Sequence, residues 1–306
     1  MIAPARSRWI TAAFLWAAAL VLLACGKADG PSDEALRAPE PRPAARIVSV
    51  GGSVTEIVYA LGAGSQLVGV DTSSVYPEET KGLPRVGYQR TIAAEGVIAL
   101  RPTLVLLSAE AGPPTAIEQL EAAGVTTRRI TGEASPAGAA QKIREVAAAL
   151  ALEDKGQELV QALEAEIAEA QRFTALATGR PRVLFLYARG PGTMLISGSH
   201  TAADAMIRLA GADNAVTAYQ GFKPMTPEAV IAAAPAVVIL VPSGGLESLG
   251  GVDAIRAFPG IAQSPAAAAQ RVVAMDDGLL LGFGVRTGAG MRELGRLLHP
   301  EIGADP

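Results

Sequence analysis

From Arg46 onward the apolar positions switch repeatedly between two periods. "RIVSV" (46–50) is a short β-branched run, whereas "SVTEIVYAL" (53–61) carries Val54, Ile57, Val58 and Leu61 at helical spacing and is closed by Gly62. "LVGV" predicts a strand, "IAAEGVIAL" a helix, "LVLLS" a strand, "TAIEQLEAAG" a helix and "VTTRRI" a strand. A second series begins at "RVLFLY" (182–187) and runs through "TAADAMIRLAG", "PEAVIAAA", "AVVILVP" and "RVVAM" to a last helix near "RTGAGMRELGRLL". Strands alternating with helices imply parallel sheets covered on both faces. The expected class is α/β: an N-terminal lobe over 46–134, a helical connector over 135–180 and a C-terminal lobe over 181–306.

The connector opens at Ser135-Pro136, a good N-cap and first-turn pair. Gly156 is expected to divide the helical stretch beyond that pair, and roughly 154–177 keeps Leu159, Val160, Leu163 and Ile167 on one face. At 1.5 Å per residue, ~24 residues give a rod of about 36 Å, a stiff spacer between lobes.

The lobes read as copies. "EGVIALRPTLVLL" from Glu95 and "EAVIAAAPAVVIL" from Glu228 share one pattern at a constant offset of 133 residues, and "GSVT" (52–55) returns as "GSHT" (198–201). That offset superposes Arg90 on Lys223 and Tyr88 on Gly221, so each lobe carries a basic residue ahead of its repeated helix and only the first adds a phenol.

The N-terminal segment changes the picture of where the lobes work. Residues 1–24 have Arg6 and Arg8 ahead of an apolar run from Trp9 to Leu23, the length of a signal h-region and short for a membrane span. "LLAC" leads into Cys25, the single cysteine of the chain, and resembles a bacterial lipobox in which that cysteine is acylated. With no second cysteine there is no disulfide framework. Residues 25–45, rich in Pro, Ala and charge, read as a flexible tether. A net charge of −4 argues against a nucleic-acid binder.

Candidate chemistry is sparse. "SVGGSVTE" lacks both the dinucleotide and the P-loop spacing and reads as a tight strand-to-helix turn. There are two histidines, His200 and His299, no G-x-S-x-G, and no metal-spaced His or carboxylate cluster, so an enzyme has no residues to stand on. In a chain with 5 tyrosines and 6 phenylalanines, the run "LPRVGYQRTIAAEGVIALRP" (83–102) places Tyr88 two residues before Arg90. The pair reads either as surface packing or as a ligand set. A phenol of pKa about 10 must ionise to bind iron(III) well, and a nearby guanidinium favours the phenolate. Tyrosinate is an axial ligand of haem iron, and Arg90 and Lys223 suit its two propionates.

Over 46–300 the chain resembles the periplasmic haem-binding proteins of haem ABC importers, within the bilobal substrate-binding proteins joined by a rigid helix. The resemblance rests on "VGYQRTIAAEGVIALRP", "TAADAMIRLAGADN", "GFKPMTPEAV" and "VVAMDDGLLLGFGVRT". It implies Tyr88 as haem-iron ligand, Arg90 as its support and Lys223 as a basic residue near the haem. Some members place a second, histidine ligand after the "LFLL" strand; here Arg189 stands about there, and His200 is the alternative, reading equally as a polar residue at a helix start. Tyr187 and Met194 read as packing. The wider family docks one acidic residue per lobe onto arginines of its permease. Glu56 reads equally as such a residue or as a helix-dipole partner, and Asp204 leans to the latter. The implied function is a lipid-anchored receptor that captures ferric haem outside the inner membrane and passes it to an ABC permease and ATPase. A receptor for ferric siderophore or a corrinoid is the alternative, and it would use the same lobes without Tyr88 on a metal.

Overall fold

Apolar runs and helical periods alternate in the computed structural model as they do in the sequence. The structure describes residues 45–188, 194–242 and 246–302, so Cys25, its tether and Arg189 lie outside the described residues. The first lobe contains β1 (Ile47–Val50), α1 (Gly52–Ala60), β2 (Leu67–Val70), a short hairpin of β3 (Gly87–Tyr88) and β4 (Thr91–Ile92), α2 (Ala94–Ala99), β5 (Leu104–Ser108), α3 (Pro114–Ala122) and β6 (Thr127–Ile130). Its main sheet has the order β2-β1-β5-β6 and is parallel throughout, with Ile47 beside Leu104 and Val48 beside Val105. All four residues of the central strand β1 are buried, which explains why "IVSV" shows no polar alternation.

The connector is two helices, α4 (Pro136–Ala149) and α5 (Glu153–Thr174). Ser135 caps α4 by accepting the Gly138 N–H at 3.0 Å. The break falls at 150–152, not at Gly156. That glycine sits in the first turn of α5, where a Cβ would collide with the Ala147 Cβ of α4. Its role is close helix approach, and the 22 residues of α5 form the rod.

The second lobe contains β7 (Arg182–Ala188), β8 (Met194–Ser197), α6 (Ala202–Leu209), β9 (Asp213–Asn214), β10 (Phe222–Pro224), α7 (Pro227–Ala233), β11 (Val237–Leu240), α8 (Gly251–Arg256), α9 (Pro265–Ala268), β12 (Val272–Ala274), α10 (Asp277–Leu281) and α11 (Thr287–Leu298). Its sheet, β10-β8-β7-β11-β12 with β9 also on β7, is mixed: β8 runs antiparallel to both β7 and β10. The repeat is realised where the pattern was strongest. Helix α2 with β5 and helix α7 with β11 occupy matching positions at the 133-residue offset. "GSVT" and "GSHT" are not equivalent, because Thr55 lies inside α1 while Thr201 is the N-cap of α6.

Alternation along the strands divides the interior into three clusters. Outward residues such as Val48, Val50 and Val105 pack under α2 and α3, and Leu184, Leu186 and Val238 form the corresponding outer core of the second lobe. The inward set is continuous across the molecule. Ile47, Ile57 and Leu61 of the first lobe, Ile143, Val160, Leu163 and Ile167 of the connector, and Phe185, Ile239 and Leu294 of the second all belong to one buried cluster. Helix α5 lies between α4 and α11 and carries that cluster from lobe to lobe.

Overpacking the α4/α5 crossing tests this arrangement. Gly156→Ala should lower stability by about 1–3 kcal/mol despite alanine's better helix propensity. Urea unfolding checks it, and an unchanged or higher midpoint would contradict the close approach.

Candidate ligand cleft

Ligands of open parallel sheets bind beyond the carboxyl ends of the strands. In the first lobe those ends carry the β3–β4 hairpin. Its two-residue turn, Gln89-Arg90, is fixed from below: Gln89 Oε1 accepts from Ser108 Oγ at 3.1 Å, and the Gln89 carbonyl accepts from the Gly112 N–H at 2.9 Å. On either side, the Ile92 N–H donates to the Gly112 carbonyl at 2.9 Å and the Thr72 N–H to the Gly87 carbonyl at 2.8 Å. Ser108 ends β5, and Gly51 just past β1 would put a Cβ 2.7 Å from the Ser108 Cβ. Tyr88, half-buried, and Arg90, exposed, therefore stand over the ends of β1 and β5.

Buried Asp71 organises the floor beneath them. Its Oδ1 accepts from the Gly51 N–H at 2.8 Å and from Ser74 Oγ at 2.6 Å, while Oδ2 accepts from the Ser73 N–H at 2.8 Å and its hydroxyl at 2.5 Å. Arg85 completes the loop by donating to the carbonyls of Asp71, Ser74 and Thr80. Gly51, with φ of 113°, thus turns its amide onto a carboxylate of the chain, consistent with a structural turn at "SVGGSVTE". Neither Asp71 nor Gln89 was legible as a supporting residue, since the contacts that tie them to the strand ends, to Gly51 and Ser108, span 20 and 19 positions.

In the second lobe Lys223 sits on β10 beside Ile196 of β8, which in turn faces Leu186 near the carboxyl end of β7. Its ammonium lies 4.5 Å from the Tyr219 ring centroid, a cation–π contact that leaves the side chain exposed. Tyr187 stacks on Phe185 at 6.3 Å and meets Phe222 at 6.4 Å; Met194 packs against the outer core. His200 does not approach the cleft. It follows β8, whose antiparallel direction delivers the chain to the edge where β7 begins: Asn214, paired with Val183, donates to the Gly198 carbonyl at 3.1 Å. There His200 adopts a φ of 59° and gives its N–H to Asp204.

Glu56 and Asp204, which the resemblance offered as permease-docking residues, are both buried. Asp204 is buried in the first turn of α6, accepting from the His200 N–H, Asn214 Nδ2 and Arg208 Nε, while its own N–H donates to Thr201 Oγ1. It is a capping residue. Glu56 forms a two-pronged pair with Arg286 across the lobes, at 2.9 Å to Nε and 2.5 Å to Nη2, with the two side chains only 7% and 19% exposed. Arg286 also covers the Tyr76 ring at 4.0 Å and reaches Asp276 at 3.5 Å. Nearby, Ser53 lies against Gly284. The carboxyl-end edges of the two sheets meet here, so Glu56 is committed to joining the lobes. The exposed acidic residues at matched positions are Glu95 and Glu228, in the first turns of α2 and α7. Both stand in the repeat itself.

Among the described residues no group of three or more His, Cys, Asp or Glu is placed to hold a bare metal ion. Likewise none of their helices is long and apolar enough to cross a membrane.

Two α/β lobes fixed by a helix, with a cleft between strand ends, define a ligand receptor. The chain belongs to the periplasmic binding protein family, whose model matches residues 47–279. Among solved structures it is similar to the periplasmic heme-binding protein RhuT of Roseiflexus sp. RS-1 in apo form, with 44% identity, a TM-score of 0.82, and coverage of 85% of this chain and all of that one. It is also similar to the periplasmic heme-binding protein BhuT in complex with two hemes, at 42% identity and a TM-score of 0.80, covering 85% and 99% of the two chains. A relative from Bacillus subtilis, described as an uncharacterized ABC transporter substrate-binding lipoprotein, is 28% identical over 84% of this chain and 80% of its own length. The vitamin B12-binding protein of Vibrio campbellii is 40% identical over 83 residues, 27% of this chain and 30% of that protein.

Removing Glu56 leaves the mostly buried Arg286 with only its longer contact to Asp276 and the face of Tyr76. Glu56→Ala should therefore cost about 1–3 kcal/mol. Chemical denaturation checks this, and a loss below about 1 kcal/mol would mean that the pair contributes no more than an exposed one.

Proposed function

We propose that this chain captures ferric haem in its cleft and delivers it to an ABC permease, working outside the inner membrane on a lipid anchor at Cys25. The observation that carries the reading is the Tyr88-Arg90 hairpin, held rigidly over the strand ends of one lobe with Lys223 on the other. The resemblance of nearly the whole folded chain to heme-binding receptors supports it. Tyr88 supplies the oxygen ligand to iron, Arg90 supports it, and Lys223 meets a propionate. Nothing is transformed; the receptor binds and releases. A corrinoid receptor remains the second reading because the vitamin B12-binding relatives match, but they do so over a short segment.

A hemin titration separates the readings. Wild-type protein should give a saturable Soret change with ferric tyrosinate bands. Tyr88→Phe keeps the ring and should abolish those bands. Arg90→Ala should weaken hemin binding, with one to two decades of affinity the expected scale for a lost charge-assisted bond of about 1.5–3 kcal/mol. Indifference of the wild type to hemin, or an unaltered spectrum for Tyr88→Phe, would sink the assignment.

Docking to the permease falls to Glu95 and Glu228, the exposed acidic pair, one per lobe. Reversing both to Lys should leave the hemin spectrum intact and reduce uptake into proteoliposomes carrying the permease and ATPase. Normal uptake would leave them as residues that only complement helix dipoles.

A further inference from the structure

A third cation, Lys142, links segments that follow strands of both lobes. Lys142 projects from α4, and its Cγ lies 3.0 Å from where a Cβ on Gly132 would stand, two residues past the end of β6. Its ammonium crosses to the second lobe and donates to the carbonyl of Gly282, the residue closing α10, at 3.3 Å. Glu110, two residues beyond β5, acts on it electrostatically, yet no carboxylate of the described residues forms an ion pair with it. The neighbouring Arg129 is differently placed: its guanidinium is taken up by the carbonyls of Ser108, Ala109 and Ala111 in the loop that carries Glu110.

Gly132 and Glu110 follow strands of the first sheet, and Gly282 follows the last strand of the second. Lys142 is thus placed between the carboxyl ends of both sheets, where the cleft has its floor. Burial lowers its pKa, with Glu110 acting in the opposite direction. A partly desolvated ammonium with one long hydrogen bond to a neutral carbonyl is poorly compensated. A strut between lobes does not require a charge at this point, whereas an anionic ligand does.

We infer that Lys142 is a carboxylate-binding residue of the cleft floor and a determinant of selectivity for an acidic tetrapyrrole over a neutral one. Haem carries two propionates, while corrinoids bear amides in their place. The inference rests on the haem reading and names the group that Lys142 would take: a propionate entering between the lobes, with Lys223 left for the other.

The test uses the full chain with hemin and with hemin dimethyl ester, which keeps the macrocycle and iron but not the carboxylates. Wild type should prefer hemin. Lys142→Met should weaken hemin binding about tenfold, the loss of one charge-assisted hydrogen bond, and leave ester binding unchanged, so that the preference collapses. Lys142→Arg should restore it. The urea midpoint of Lys142→Met should be equal to or above that of wild type, since an uncompensated charge has been removed. Lys142→Gln serves the same comparison if the methionine variant does not fold. An equal loss for hemin and ester, or no loss for either, would overturn the role of Lys142 while the haem reading stood. Wild type that binds neither would remove both.

Discussion

The geometry of this receptor depends on one constraint: the inward faces of its two sheets share a single buried cluster, carried between them by α5. Separating the lobes would expose Val160, Leu163 and Ile167 together with their neighbours on both sides. Each fully buried aliphatic side chain is worth roughly 1.5–3 kcal/mol, so wide opening at this joint is costly in a way that a loop hinge is not. The pair Glu56–Arg286 adds a polar tie where the strand ends meet. Any widening of the cleft at this joint would have to break that cluster as well as the ion pair.

That frame explains how charges are used. Acidic groups near the cleft are largely occupied: Asp71 holds the turns beneath Tyr88, Glu56 joins the lobes, and Asp204 caps a helix. Cations are distributed differently. Arg85, Arg129 and Arg286 are spent on carbonyls or carboxylates, while Arg90, Lys223 and Lys142 are offered from three separate elements with no ion pair among the described residues. The chain is acidic overall, with a net charge of −4, yet three cations near its cleft have no ion pair among the described residues, with exposed Glu110 close to one of them.

The sequence made the elements legible because their periods are long and consistent; α1, α2, β5, α7 and β11 fall where the apolar spacing predicts. What it concealed were facts set by partners distant along the chain. Glu56 looked like a surface carboxylate because its partner lies 230 residues away. Gly156 looked like a breaker because the Ala147 methyl it accommodates belongs to a different helix. The four-residue strand β8 is too short to declare a direction, and its antiparallel course is what carries His200 away from the cleft.

The fate of the histidines strengthens the reading of Tyr88. Imidazole is the commoner haem ligand, so a phenol would be a weak candidate wherever a histidine shared its cleft. Here His200 lies at the far edge of its sheet, and His299 is 1% exposed, its ring nitrogens engaged by the Ala210 carbonyl and Glu301. Neither can reach a ligand held between the strand ends without dismantling a helix terminus. Tyr88, half-buried on the hairpin over those ends, is the oxygen donor that the proposed function uses. The turn residue beside it, Gln89, is anchored at the sheet end: its Oε1 accepts from Ser108 Oγ and its carbonyl from the Gly112 N–H. Two hydrogen bonds to Gln89 thus fix the hairpin on which the proposed ligand, Tyr88, sits.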